Sequence, residues 1–237
     1  MTKRDAEIGG MRKRLLLWDI DGTLVNTGGA GIESLKRMVR ERFGAEDDLR
    51  DIEIAGKTDA AILRDILRKY NVEATERPIR EFGDDYLLGL ETELPRCDGR
   101  VLPGIGELLT RLKERPHIVL GLLTGNLERG AKMKLEHYGL WQFFEFGAFA
   151  DDHHDRNELG AFARIRAREK HGHDFDAVDI DVIGDTGHDI SCGKAFGART
   201  IAVATGSWSR ERLAAQKPDF LFDDLSAVDQ VVVKLDW

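Results

Sequence analysis

The stretch Leu15–Val25, reading LLLWDIDGTLV, constrains the rest of the chain more than any other. Its apolar run, Leu15-Leu16-Leu17-Trp18, has the pattern of a strand buried on both faces of a parallel sheet. The run breaks into Asp19 and Asp21, followed by Gly22 and Thr23. Two carboxylates at the end of a buried strand are electrostatically costly unless a divalent metal offsets them or one of them keeps a proton. In open α/β sheets, ligands bind beyond the carboxyl ends of the strands. The plainer reading, a strand ending in an acidic turn that Gly22 permits, is the weaker one.

The remaining pattern fits that start. Residues 32–95 are helical, with no convincing strand. Ile32, Leu35, Met38, Val39 and Phe43 line one helix face, and Gly44 ends that helix. Ile62, Leu63, Ile66, Leu67 and Tyr70 line a second. A third, beyond Pro78, carries Ile79, Phe82, Tyr86, Leu87 and Leu90. From Val101 onward helices and strands alternate. Strands are expected at Ile118–Leu123, Phe143–Phe149, Asp179–Ile183, Thr200–Val203 and Phe220–Phe222. The intervening helices include one with Leu159, Phe162 and Ile165 facing inward. Such alternation predicts an α/β fold with a doubly wound, Rossmann-like parallel sheet. The expected organisation is a polar tail over 1–14, a core over 15–27 and 100–237, and an all-α insertion over 28–99. The insertion hangs on two flexible connections, Asn26–Gly31 and Arg96–Pro103.

Composition narrows the functional class. With 237 residues and 42% hydrophobic side chains, the chain can bury a proper core. No segment approaches the ~20 apolar residues of a membrane span, so no membrane partner is expected. The apolar run after MTKRDAEIGGMRKR is too short for a secretory signal. Two cysteines, Cys97 and Cys192, make no disulfide framework, which points to the cytoplasm. A net charge of −8 lacks the basic footprint of a nucleic-acid binder but leaves room for a small phosphorylated metabolite in a locally positive pocket.

Three of the strands end in polar residues. The first ends in Asp19 and Asp21, the second in Thr124-Gly125-Asn126, and the third in Asp185, with Asp189 beyond it. As parallel neighbours they would converge on one rim. The acidic side chains there call for a hard cation, and Mg2+ suits carboxylates, waters and a phosphate oxygen. Thr124 offers a hydroxyl, and the backbone N–H groups near Gly22 and Gly125 are free to face an anion. Together these groups describe phosphoryl transfer through an aspartyl intermediate.

LLLWDIDGTLV, LLTGN and VIGDTGHDI resemble, in order, the first, second and fourth motifs of the haloacid dehalogenase-like hydrolases. The chain is most similar to their phosphoglycolate phosphatase-like branch, whose helical cap is inserted after the first strand. The resemblance implies that Asp19 is the nucleophile and Asp21 the acid and base. Asp19, the Asp21 carbonyl, Asp185 and Asp189 would hold magnesium, and Thr124, Gly22, Gly125 and Asn126 would surround the phosphoryl group. The dehalogenase branch lacks the second aspartate, so Asp21 argues against dehalogenation. The third motif is a cation, usually lysine, before the last catalytic strand. Arg156 is assigned to it here, because a guanidinium can serve the phosphate and the nucleophile bidentately. Lys132 and Lys134 are the competitors, and helical periodicity is expected to place both on a solvent face.

Two alternatives remain. A phosphomutase of the same superfamily would pass the phosphoryl group back to a sugar; β-phosphoglucomutases carry a histidine where this chain has Gly31. A non-enzymatic phosphoacceptor domain would have no use for Asp21 or a cap. Gly56-Lys57-Thr58 is no P-loop, because the earlier glycine would fall on Asp51. Lys57 is expected to meet substrate, whereas Thr58 or Asp59 equally reads as a helix N-cap. The run Asp151–Asp155 is expected to be a polar loop rather than a zinc site. Asp179 and Asp181 are expected to mark only where a strand emerges, and Cys192 is expected to be packed.

Overall fold

The computed structural model describes residues 7–8 and 11–237. A two-stranded antiparallel ribbon, β1 (Glu7–Ile8) and β2 (Met11–Arg12), precedes the central strand β3 (Arg14–Trp18). Of the segment read as a tail, residues 1–6 and 9–10 lie outside the described residues. After β3 come β4 (Val25–Asn26), then α1 (Ala30–Phe43), α2 (Asp59–Lys69) and α3 (Glu76–Glu93), and the return strand β5 (Arg100–Val101). Next follow α4 (Ile105–Lys113), β6 (Ile118–Leu123), α5 (Glu128–His137), β7 (Gly147–Ala148) and α6 (Leu159–His171). The chain ends with β8 (Ile180–Gly184), α7 (Gly187–Ala195), β9 (Arg199–Val203), α8 (Arg210–Ala215), β10 (Phe220–Phe222) and α9 (Val228–Leu235).

Six strands form one parallel sheet in the order β10-β9-β8-β3-β6-β7. Successive side chains of a strand point to opposite faces, and β3 supplies both. Leu16 and Trp18 enter a cluster with the apolar stripes of α4, α5 and α9. Leu15 and Leu17 enter another with Leu159, Ala163 and Ala167 of α6 and Cys192 of α7. Burial on both faces is why this strand reads as a continuous apolar run. The helices α1–α3 have a separate apolar cluster around Met38, Leu63, Ile66 and Leu90. Among the described residues, no helix is long and apolar enough to cross a membrane.

Several expectations need correcting. The strand foreseen at 143–149 shrinks to Gly147–Ala148, preceded by a 3-10 turn over Trp141–Phe143. Glu145 N–H still donates to Leu120 O at 3.4 Å, and Phe146 O accepts from Leu122 N–H at 3.0 Å. The aromatic side chains of the run are used in packing, Phe144 and Phe149 in one core cluster and Phe146 against the other. Ile165 is 47% exposed, because α6 buries its small residues Gly160, Ala163 and Ala167 instead. The two connections of the helical insertion are not independent: Val25 pairs with Val101 and Asn26 with Arg100, antiparallel. Asp181 does more than mark a strand start. It is wholly buried and accepts two hydrogen bonds from Arg199 at 2.6 Å and one from Trp237 Nε1 at 2.6 Å. It therefore ties the C-terminal residue to the middle of the sheet. Cys192 is buried, as expected.

Candidate active site

Register fixes the site. Trp18 of β3 pairs with Leu122 of β6 and Ile183 of β8, so the residues just past these strands share one rim. Asp19 leaves β3 with its N–H donating to the Ile183 carbonyl at 2.9 Å. Beyond it the chain turns sharply: Gly22 has φ +78°, and a Cβ there would lie 2.5 Å from Asp185 Oδ2. The Gly-Thr pair thus lets the first loop press against the third strand end, where Thr23 Oγ1 donates to Asp185 Oδ1 at 3.3 Å.

Asp19, Asp185 and Asp189 are all buried, and one carboxylate oxygen from each lies within 4.8 Å of the others. Such a set of hard oxygen donors suits a magnesium ion. Asp189 is also the N3 residue of a capping box that opens α7, accepting from Thr186 N at 2.9 Å and Thr186 Oγ1 at 2.7 Å. Arg156 answers part of this charge. It stands in a 3-10 turn just before α6, is 7% exposed, and its Nη2 reaches Asp19 Oδ1 at 2.8 Å as well as Asp189 Oδ1. Burial pushes the Asp19 carboxyl up to about 7; Arg156 opposes this, and Asp189 adds to it. Burial, with Asp189 and Asp19 beside it, raises Asp185 well above the usual carboxylate range. A cation here would relieve all three groups.

Asp21 faces a cavity of about 490 Å³ whose wall also includes Asp19, Gly22, Lys57, Gly125, Asn126, Arg156 and Asp185. The helical insertion also lines the cavity, through Ile32, Ile54, Asp59, Ile62 and Tyr86. Thr124 is fully buried and does not line the cavity. Its hydroxyl oxygen accepts from Asn126 N at 3.3 Å and Asn126 Nδ2 at 2.9 Å. Lys57 does line it, with its ammonium 3.1 Å from Asp65 and 3.7 Å from Glu53. The helix N-cap is Thr58, whose side chain accepts from Ala61 N at 3.2 Å. Asp59 instead bridges to the loop after β6: its N–H donates to Gly125 O at 2.6 Å, and its Oδ2 accepts from Leu127 N at 2.8 Å. A Cβ at Gly125 would run into the Lys57 carbonyl, so this approach requires glycine. Arg156 Nη1 donates to Gly56 O at 3.0 Å and fastens the same insertion to the core.

Lys134 overturns its expected place on a solvent face. It is 3% exposed, and its Nζ donates to Asp21 Oδ2 at 2.6 Å and Asn126 Oδ1 at 2.5 Å. Burial works against its charge, but Asp21, Tyr86 and Asp59 outweigh this and raise its pKa above the ordinary lysine value. Helical spacing does put Lys134 on the face of Leu127 and Ala131, but nothing in the sequence shows the carboxylate that turns a lysine on that face inward. Lys132, by contrast, is half-exposed and paired with Glu136 at 3.7 Å. Thr205, Gly206 and Ser207, at the end of β9, line the cavity without having been foreseen. No recognisable motif marks them.

Comparison with known proteins agrees with this geometry. The profile of a family described as haloacid dehalogenase-like hydrolase matches residues 16–203. The protein named "Probable phosphatase IndB" from Dickeya dadantii (strain 3937) is 28% identical over 223 residues, covering 91% of this chain and 92% of that one. "Pyrophosphatase PpaX" of Bacillus cereus (strain G9842) is 27% identical over 225 residues, covering 91% and 94%. A crystal structure described as a predicted phosphoglycolate phosphatase from Haemophilus somnus 129pt superposes with a TM-score of 0.70 at 19% identity, covering 94% of this chain and 100% of that one. At that identity the likeness speaks for the fold alone. The family match runs through all three strand ends that build the cavity, and the chain belongs to the haloacid dehalogenase-like hydrolases.

Proposed function

We propose that the protein is a magnesium-dependent phosphatase that hydrolyses a small phosphate monoester through an aspartyl-phosphate intermediate. The observation that carries this reading is the meeting of Asp19, Asp21, Asp185 and Arg156 around one cavity at the carboxyl edge of the sheet. The names of the relatives, phosphatase and pyrophosphatase, support phosphoryl transfer to water.

Asp19 Oδ attacks phosphorus, with Arg156 beside it favouring the ionised carboxylate against the effect of burial. The bond from phosphorus to the leaving oxygen breaks, and Asp21 gives that oxygen a proton. Asp21, now a carboxylate, takes a proton from water, whose oxygen attacks phosphorus and frees Asp19 and inorganic phosphate. Asp19, the Asp21 carbonyl, Asp185 and Asp189 would hold Mg2+, which supplies charge neutralisation for the phosphoryl oxygens. Gly22, Gly125 and Asn126 border the phosphoryl position, and Thr124 supports it through Asn126.

The helical segment 28–99 acts as a cap that encloses the leaving group. Asp59 and Arg156 latch it shut over the cavity. Lys57 selects substrates that carry a second anion, which would compete with Asp65 for the ammonium. Gly31 borders the cavity without a side chain, which favours hydrolysis over phosphoryl return to a sugar. The test is inorganic phosphate release from a panel of phosphorylated metabolites, with Mg2+ and with chelator, by the wild type and Asp19→Asn. Substantial turnover by Asp19→Asn, or full activity in excess chelator, contradicts the scheme.

A further inference from the structure

On α5, Lys134 stands among Gly130, Ala131 and Leu135 on the buried face, with its side chain only 4% exposed. Burying an ammonium is expensive unless it is both paired and hydrogen-bonded. A leucine or methionine would fill the same position without that penalty. The cation therefore calls for a reason beyond packing, and its contacts supply one.

Both hydrogen bonds made by Lys134 belong to a closed triangle. Its Nζ donates to Asp21 Oδ2 at 2.6 Å and to Asn126 Oδ1 at 2.5 Å, while Asn126 Nδ2 donates to the same Asp21 Oδ2 at 2.9 Å. The Asn126 amide is oriented without ambiguity, because its oxygen must face the ammonium. Asp21 Oδ2 thus accepts from two donors, one of them charged. The other oxygen, Oδ1, has no hydrogen-bond donor among the described residues. The Asp21 side chain is 43% exposed, and the residue lines the cavity. An oxygen that already accepts from a cation and an amide is a poor place for a proton. That leaves Oδ1 as the oxygen free to exchange a proton with the leaving group.

We propose that Lys134 is a positioning residue for the proton-transfer steps. With Asn126 it clamps one oxygen of Asp21, so that the other is the one that gives and takes the proton. This rests on the phosphatase reading above and adds a residue to it that acts only through Asp21. Its contribution should appear where protonation of the leaving oxygen limits the rate, and nowhere else.

The experiment is a double-mutant cycle read across leaving groups. Lys134→Met, Asp21→Ala and the double variant are assayed with Mg2+ on an alkyl phosphate and on aryl phosphates of increasing leaving-group acidity. General acid catalysis is worth about 10²–10⁴-fold, so Lys134→Met should lose about a hundredfold in kcat on the alkyl phosphate. It should lose about threefold or less on p-nitrophenyl phosphate, whose leaving group needs little protonation. Added to Asp21→Ala, the lysine change should cost almost nothing further, because groups acting as a unit are not additive. Inhibition by inorganic phosphate should be unchanged. Equal loss across the leaving groups, losses that multiply with Asp21→Ala, or an unaffected Lys134→Met overturns the proposal. Should Lys134→Met fail to fold, Lys134→Gln removes the charge at a similar length and must show the same leaving-group dependence. A wild type that releases no phosphate from any of these substrates defeats the phosphatase reading itself, and this inference with it.

Discussion

Replacing Arg156 tests how the acidic cluster is held. Its Nη2 serves Asp19 at 2.8 Å and Asp189, while Nη1 donates to Gly56 O at 3.0 Å. Arg156→Ala leaves Asp19, Asp185 and Asp189 buried within 4.8 Å of one another with no counter-charge. Removing one partner of a buried ion pair costs about 3–5 kcal/mol. In a chain of this size each kcal/mol moves the melting temperature by about 2–4 °C, so in chelator Arg156→Ala should melt about 6–20 °C below wild type. Arg156→Lys keeps the charge but lacks the fork, cannot reach all three partners, and should fall between. The diagnostic result is the response to Mg2+. If the proposed site holds Mg2+, the ion takes over the neutralisation that arginine supplied, so it should raise the melting temperature of Arg156→Ala more than that of wild type. Differential scanning calorimetry with and without Mg2+ measures both quantities. Melting within about 2 °C of wild type in chelator, with an identical Mg2+ response, would show that Arg156 neither neutralises the cluster nor holds it together.

Three further expectations follow from groups around and beyond the site. Burial raises the Asp59 carboxyl to about 6, with Lys134 opposing. The folded protein therefore keeps that proton to higher pH than the unfolded chain, and this contribution to stability is lost as pH rises from about 4 to 6. Asp59→Asn keeps both backbone contacts and should gain about 1–3 kcal/mol on wild type across that window; urea titrations showing no pH-dependent difference would refute this. Asp181→Ala strands Arg199 and the Trp237 N–H at the amino end of the sheet, away from the cavity. It should lose about 3–5 kcal/mol of stability while kcat per folded molecule stays at the wild-type level, and a selective loss of kcat would be unexpected. Burial pushes the Cys192 thiol up to about 12, so a thiol reagent at pH 8 should label Cys97 in the native protein and Cys192 only after denaturation; labelling of both at equal rates would contradict the packing.

What the sequence determined by itself was the frame. An apolar run buried on both faces, followed at once by Asp19 and Asp21, already specifies a parallel sheet with acidic side chains at its carboxyl edge, because both properties are local to the chain. Asp185 and the loop after Leu123 follow from the same rule applied to the next strands. The helices of the insertion were equally legible, their apolar faces repeating at helical spacing from Ile32 to Leu90. Contacts between segments distant in the chain were decided only by the tertiary structure. Ile165 faces solvent because α6 lies on the sheet through its small residues. Asp181 is a buried anchor because Arg199 and Trp237 come to meet it. Lys134 was misplaced for the same reason: an exposed face and a buried polar one have the same composition until the partner is known. A lysine is turned inward when a carboxylate waits there to offset its desolvation, and Asp21, on another element, became that partner only when α5 packed against the sheet.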